Sequence, residues 1–274
     1  MAIKHTGTLS RVRPKSIIGR TLLMASLLLG GIAVSAKTLS HTVALPGRLH
    51  DEGWKTRHEA KLVEARSRPV DLVLLGDSIT ANYELIGPEP LRDYSGVWQQ
   101  YYADRNALNL GFSGDGTRHL LWRITHGELD GVAPKVAIVL IGTNDIGYLS
   151  LSPEDTIAGI EAVLAELHRR LPTTKVLLVG LLPSSRGARV QAATTKINSA
   201  LASHYGQGGL PFVTYQDISR AFFKGGILDT SLFSDPKQVP PEPALHPSPD
   251  GQERMAAALE PTLSRLLGDR RHDR

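Results

Sequence analysis

Val70-Asp71-Leu72-Val73-Leu74-Leu75-Gly76 is a short, nearly continuous apolar run, and it leads directly into Asp77-Ser78. A run this brief, bounded by Pro69 and Gly76, predicts a strand covered on both faces, which is the habit of a parallel sheet. Similar runs follow at 107–111, 136–142, 176–182 and 211–215, with helix-length segments between them. Five buried strands alternating with helices predict right-handed crossovers and an α/β fold with its sheet covered on both sides. Ligands of such sheets bind beyond the carboxyl ends of the strands.

The intervening helices carry their own signals. Ser152 is placed to cap a helix that has Pro153 at its first position and Glu154 and Asp155 in its first turn, where the dipole favours acids. Ile157, Ile160, Leu164, Leu167 and Leu171 then make one apolar stripe, which Pro172 ends. A last helix over 249–267 sets Met255, Leu259, Leu263, Leu266 and Leu267 on one face. Before the sheet, 37–69 reads as a lead-in containing Trp54 and a short helix over 57–66; 269–274 reads as a polar tail.

With 41% apolar and 21% charged residues, the 274-residue chain falls in the globular range and is neither a disordered tail nor a coiled coil. The absence of cysteine excludes disulfides, thiolate-zinc sites and a cysteine nucleophile. The net charge of +4 belongs to the first 36 residues, where Lys4, Arg11, Arg13, Lys15 and Arg20 stand without an acid; residues 37–274 carry 26 basic and 27 acidic side chains. A nucleic-acid partner is therefore not expected. The uncharged run 21–36, ending Val34-Ser35-Ala36, is short for a membrane span and reads as a signal peptide cut after Ala36. Periplasmic or extracellular location follows as an expectation, without stable membrane insertion after cleavage; an uncleaved anchor is the alternative. The residues say nothing about oligomeric state.

The candidate chemistry lies at the predicted strand ends. Ser78 stands where the first strand turns into a helix, and Gly114 and Asn144 stand in the loops after the next two. The N–H groups of Ser78 and Gly114 with the Asn144 amide would form a three-donor oxyanion hole. Taken singly, each is equally explained as a cap or a tight turn. Residues 234–249 hold six prolines and present His246, the candidate base for Ser78, on a stiff segment before the last helix.

The blocks GDSIT (76–80), SGD (113–115), GTND (142–145) and LHPSPDG (245–251) occur in the order and spacing of the SGNH, or GDSL, hydrolases, and this chain resembles that family over about 71–267. Within it, 107–183 is similar to the catalytic-subunit branch of the platelet-activating-factor acetylhydrolases. The resemblance implies a three-layer α/β/α, flavodoxin-like domain over 70–268 with a five-stranded parallel sheet. It also implies Ser78 as nucleophile, His246 as base, the three-donor oxyanion hole, and no metal or organic cofactor. An esterase removing short acyl groups, acetyl foremost, from a glycan or lipid is the expected activity. The rivals are a lysophospholipase or thioesterase with longer acyl preference, and a non-catalytic sugar-binding protein using Trp54, Trp98, Tyr101 or Tyr102.

One position departs from the pattern. The family's acid usually lies three residues before the histidine, where this chain has Pro243. Glu242, one residue further back and longer by a methylene, ranks first as the acid; Asp235, beyond the proline-rich insertion, ranks second; a site without an acid is the third possibility.

Overall fold

Five strands, β1 (Leu72–Gly76), β2 (Ala107–Gly111), β3 (Val136–Leu140), β4 (Lys175–Val179) and β5 (Val213–Gln216), form one sheet in the order β2-β1-β3-β4-β5, and every neighbouring pair is parallel. The computed structural model describes residues 1–2, 51–87, 93–207 and 209–270. All of the sheet and its helices belong to the unit Val34–Arg274. The proposed cleavage point after Ala36 lies outside the described residues, as do 271–274 of the tail. Among the described residues no helix is long and apolar enough to cross a membrane.

Strands β1, β2 and β3 are buried at every position, as expected for strands covered on both faces. The helices Pro153–Arg170, Ala188–Tyr205 and Pro249–Leu267 bury one side each. Ser152 caps the first of these by accepting the Asp155 N–H, and Ser248 caps the last by accepting that of Gly251. The strand order is that of flavodoxin-like sheets, with a topological switch between β1 and β3. At a switch point of this kind the connections leave toward opposite faces of the sheet, and a crevice opens at the carboxyl ends of the strands.

Two expectations need correction. The lead-in contains a longer helix, Glu52–Ser67, which starts five residues before the short helix expected over 57–66, with Asp51 as its cap. Its Trp54 is buried, as are Tyr101 and Tyr102, so these rings do not form a sugar platform. Tyr102 packs edge-on against Tyr83 at 5.1 Å and lies 5.4 Å from Trp98, in a cluster that is part of the core.

Candidate active site

The chain turns from strand to helix at Gly76-Asp77-Ser78. A side chain at Gly76 would place its Cβ 2.2 Å from Thr80 Oγ1 and 2.6 Å from the Leu140 carbonyl, so only glycine lets the turn pack against β3. Asp77 caps the short helix Ser78–Ala81 by accepting the Ile79 N–H at 2.9 Å. Ser78 thereby becomes the first residue of that helix, half-buried at the crevice while Asp77 and Ile79 on either side are buried. Its own N–H belongs to the unpaired donors of a helix start.

The loops after β2 and β3 add two further groups. Gly114 takes φ +79°, a left-handed conformation that suits glycine, and Gly142 takes φ +124° to begin the helix Thr143–Gly147. Asn144 Nδ2 donates to the Asp115 carbonyl at 2.9 Å. That bond uses one amide hydrogen and fixes the plane of the carboxamide, while a primary amide carries a second hydrogen. Ser78, Gly114, Asn144 and His246 are each partly exposed.

Ser78 Oγ lies 3.0 Å from His246 Nε2, and His246 Nδ1 lies 2.6 Å from Asp235 Oδ1. Asp235 Oδ2 also accepts the N–H groups of Leu245 at 2.8 Å and His246 at 2.6 Å. Burial pushes this carboxyl up, but the bonds from the His246 ring and from the two backbone N–H groups outweigh it and leave Asp235 below the ordinary carboxylate value. An ionised Asp235 can only accept, so Nδ1 carries the proton and Nε2 presents its lone pair to the serine hydroxyl.

The acid facing the histidine is thus Asp235, which takes the ring Nδ1, while the first-ranked Glu242 is exposed. The reason lies in backbone pairing. Ser234 N–H donates to the His246 carbonyl at 2.8 Å, Ser248 N–H to Leu232 at 2.8 Å, and Phe233 bridges Pro247 in antiparallel fashion. Residues 236–243 are an excursion whose two ends are tied together, and the tie sets residue 234 opposite residue 246, which brings the next side chain, that of Asp235, to the His246 ring. Within the excursion the Glu242 N–H donates to the Asp235 carbonyl at 3.1 Å, which closes the loop but leaves the Glu242 carboxylate outside. Tyr94 OH donates to the Pro247 carbonyl at 3.0 Å and holds the histidine segment from the other side.

A serine hydroxyl against a histidine–aspartate pair, beside a glycine loop and an amide at the switch point of a 2-1-3-4-5 parallel sheet, defines the class of three-layer α/β proteins with a hydrolase-type Ser-His-Asp constellation. Residues 74–254 match the GDSL-like Lipase/Acylhydrolase family, and the chain belongs to it. It is 31% identical over 154 residues to human platelet-activating factor acetylhydrolase IB subunit alpha2, a match covering 55% of this chain and 61% of the relative. To the chicken alpha2 subunit it is 30% identical over 175 residues, covering 63% and 69%. The chain therefore spans about three-fifths to two-thirds of the length of these relatives.

Among solved structures, a carbohydrate esterase family 3 protein from Talaromyces cellulolyticus superposes with a TM-score of 0.53 at 21% identity, covering 73% of this chain and 98% of that one. A GDSL-like lipase from Bacteroides thetaiotaomicron gives 0.55 at 15% identity, covering 77% and 97%. At such identities the likeness is one of fold.

Proposed function

We propose that this chain is a serine esterase that removes short acyl groups, acetyl foremost, from a carbohydrate or lipid alcohol through an acyl-enzyme. The observation that carries the reading is the unbroken chain from Ser78 Oγ through His246 to Asp235, with separations of 3.0 and 2.6 Å. Ser78 Oγ attacks the ester carbonyl as His246 Nε2 takes its proton, and Asp235 stabilises the imidazolium that results. The carbonyl oxygen becomes an oxyanion facing the N–H groups of Ser78 and Gly114 and the second amide hydrogen of Asn144. Collapse of the tetrahedral intermediate expels the alcohol, which takes the proton back from His246. Water then repeats the sequence on the acyl-enzyme, releasing the acid and restoring the Ser78 hydroxyl.

The preference for acetyl is supported by the names of the acetylhydrolase relatives. Export is supported by the basic front and uncharged run of residues 1–36, which makes an extracytoplasmic acetyl ester the substrate of choice. The test is the acyl-length profile of purified protein on p-nitrophenyl esters. The acetate should be turned over fastest, and a maximum at octanoate would move the assignment to a longer-chain acylhydrolase. N-terminal sequencing of secreted material should start near Lys37, and retention of residues 1–36 would overturn export.

A further inference from the structure

The helix Glu52–Ser67 precedes the segment matched to the family, yet it reaches the back of the loop that carries Gly114. Trp54 Nε1–H donates to Asp115 Oδ1 at 2.8 Å, and Arg123 Nε donates to Asp115 Oδ2 at 2.9 Å. The Asp115 and Arg123 side chains have no exposed surface, and Trp54 is 5% exposed. Arg123 stacks its guanidinium 3.9 Å from the centre of the Phe112 ring and also pairs with Glu128. A buried carboxylate held on both oxygens cannot rotate or shift without leaving a partner unpaired, which is costly.

The same residue governs both loop donors through its backbone. Its carbonyl accepts the Asn144 amide at 2.9 Å, its N–H donates to the Phe112 carbonyl at 3.1 Å, and the peptide N–H one residue earlier is that of Gly114. Oxyanion donors accelerate a reaction only when they are already aimed at the place where charge develops, and a displacement of an ångström forfeits much of the effect. We propose that Trp54 is a positioning residue of the oxyanion hole, acting through the Asp115 carboxylate on Asn144 and Gly114. The proposal rests on the esterase reading above and places part of the catalytic support in a helix that the family match does not cover.

A double-mutant cycle on p-nitrophenyl acetate tests it. Trp54→Phe keeps an aromatic ring and removes the N–H, and kcat should fall about tenfold with KM within about twofold of wild type. Asn144→Ala alone should cost about 10²- to 10³-fold. In the Asn144→Ala background, Trp54→Phe should cost at most about threefold, because the main donor it aims is gone. A structural role would instead give additive losses, and additivity or a full-rate Trp54→Phe enzyme overturns the proposal. Should Trp54→Phe lose its cooperative melt, 3-benzothienylalanine introduced at residue 54 keeps the two-ring shape and replaces the N–H with sulfur, and the same cycle is run with it. Failure of the esterase reading looks different: wild-type protein would then show no turnover that Ser78→Ala abolishes.

Discussion

Asp235 holds His246 at two points and its neighbour Leu245 at a third, accepting from the His246 ring Nδ1 at 2.6 Å and from the backbone N–H groups of His246 and Leu245 at 2.6 and 2.8 Å. One carboxylate therefore sets the tautomer of the imidazole and also the path of the chain that presents it. Asp235 and His246 stand eleven positions apart in the sequence, and the antiparallel tie between residues 232–234 and 246–248 removes that separation.

Replacing the acid of such a triad by its amide can cost about 10⁴ in kcat, because the amide no longer stabilises the imidazolium and can favour the wrong tautomer. Asp235→Asn should accordingly reduce kcat on p-nitrophenyl acetate by about 10³- to 10⁴-fold, while Glu242→Gln stays within about twofold of wild type. Steady-state kinetics of the two variants decides it. A large loss in Glu242→Gln with Asp235→Asn unaffected would return the acid role to Glu242.

Ser78 Oγ, 3.0 Å from a histidine nitrogen that presents a lone pair, is set up as an activated hydroxyl. A fluorophosphonate probe should label the wild-type protein stoichiometrically and leave Ser78→Ala unlabelled, read by intact-protein mass spectrometry. Equal labelling of the alanine variant would take the nucleophile's role away from Ser78.

Much of this was legible in the residues because parallel strands buried on both faces write themselves as apolar runs. All five runs are strands, and the slips are at their ends: Ile141 and Gly142 look like a continuation of β3, but Gly142 at φ +124° already turns into the next helix. Ser78, Gly114, Asn144 and His246 were visible because each stands at a strand end or just before the last helix. The carboxylate was legible only as the second choice, since reach along an extended chain favours Glu242, and the closed excursion 236–243 reverses that order. Trp54 gave still less warning. It lies in a polar helix with little apolar patterning, and its partner Asp115 is 61 residues away. A lone large aromatic among charged residues was the one available hint.

Two glycines should answer oppositely to alanine. At Gly111 a Cβ would lie 2.2 Å from Ala81 N and 2.6 Å from Thr80 C, backbone atoms of the segment that follows Ser78, so Gly111→Ala should destabilise by about 3 kcal/mol or more. Gly96 lies exposed in the helix Ser95–Tyr101 with nothing within 4 Å of its would-be Cβ, and Gly96→Ala should stabilise by about 0.5–1 kcal/mol through helix propensity. Urea denaturation of both variants gives the two signs. A neutral Gly111→Ala would mean that β2 and the helix after Ser78 can separate at little cost.

Asp77 offers the sharpest pH test. Its Oδ1 accepts the Ile79 N–H, and its buried Oδ2 has no hydrogen-bond partner among the described residues. Burial pushes the carboxyl from 3.8 up to about 7, against the pull of the Ile79 N–H and of His246 nearby, and Asp115 and Asp145 push it further. Between those two values the folded protein keeps a proton that the unfolded chain has released. The contribution of Asp77 to stability is therefore full below about 3.8, declines as pH rises toward about 7, and is flat beyond. Asparagine mimics the protonated acid and keeps the oxygen that caps Ile79, but it cannot ionise. The Tm of Asp77→Asn minus that of wild type should thus rise between pH 4 and pH 8, by about 5–10 °C. Glu128, also pushed up to about 7 by burial, is present in both proteins and cancels in the difference. Melting curves at four or five pH values across this window decide the matter, and a difference that does not change with pH would show that Asp77 is ionised throughout in the folded protein.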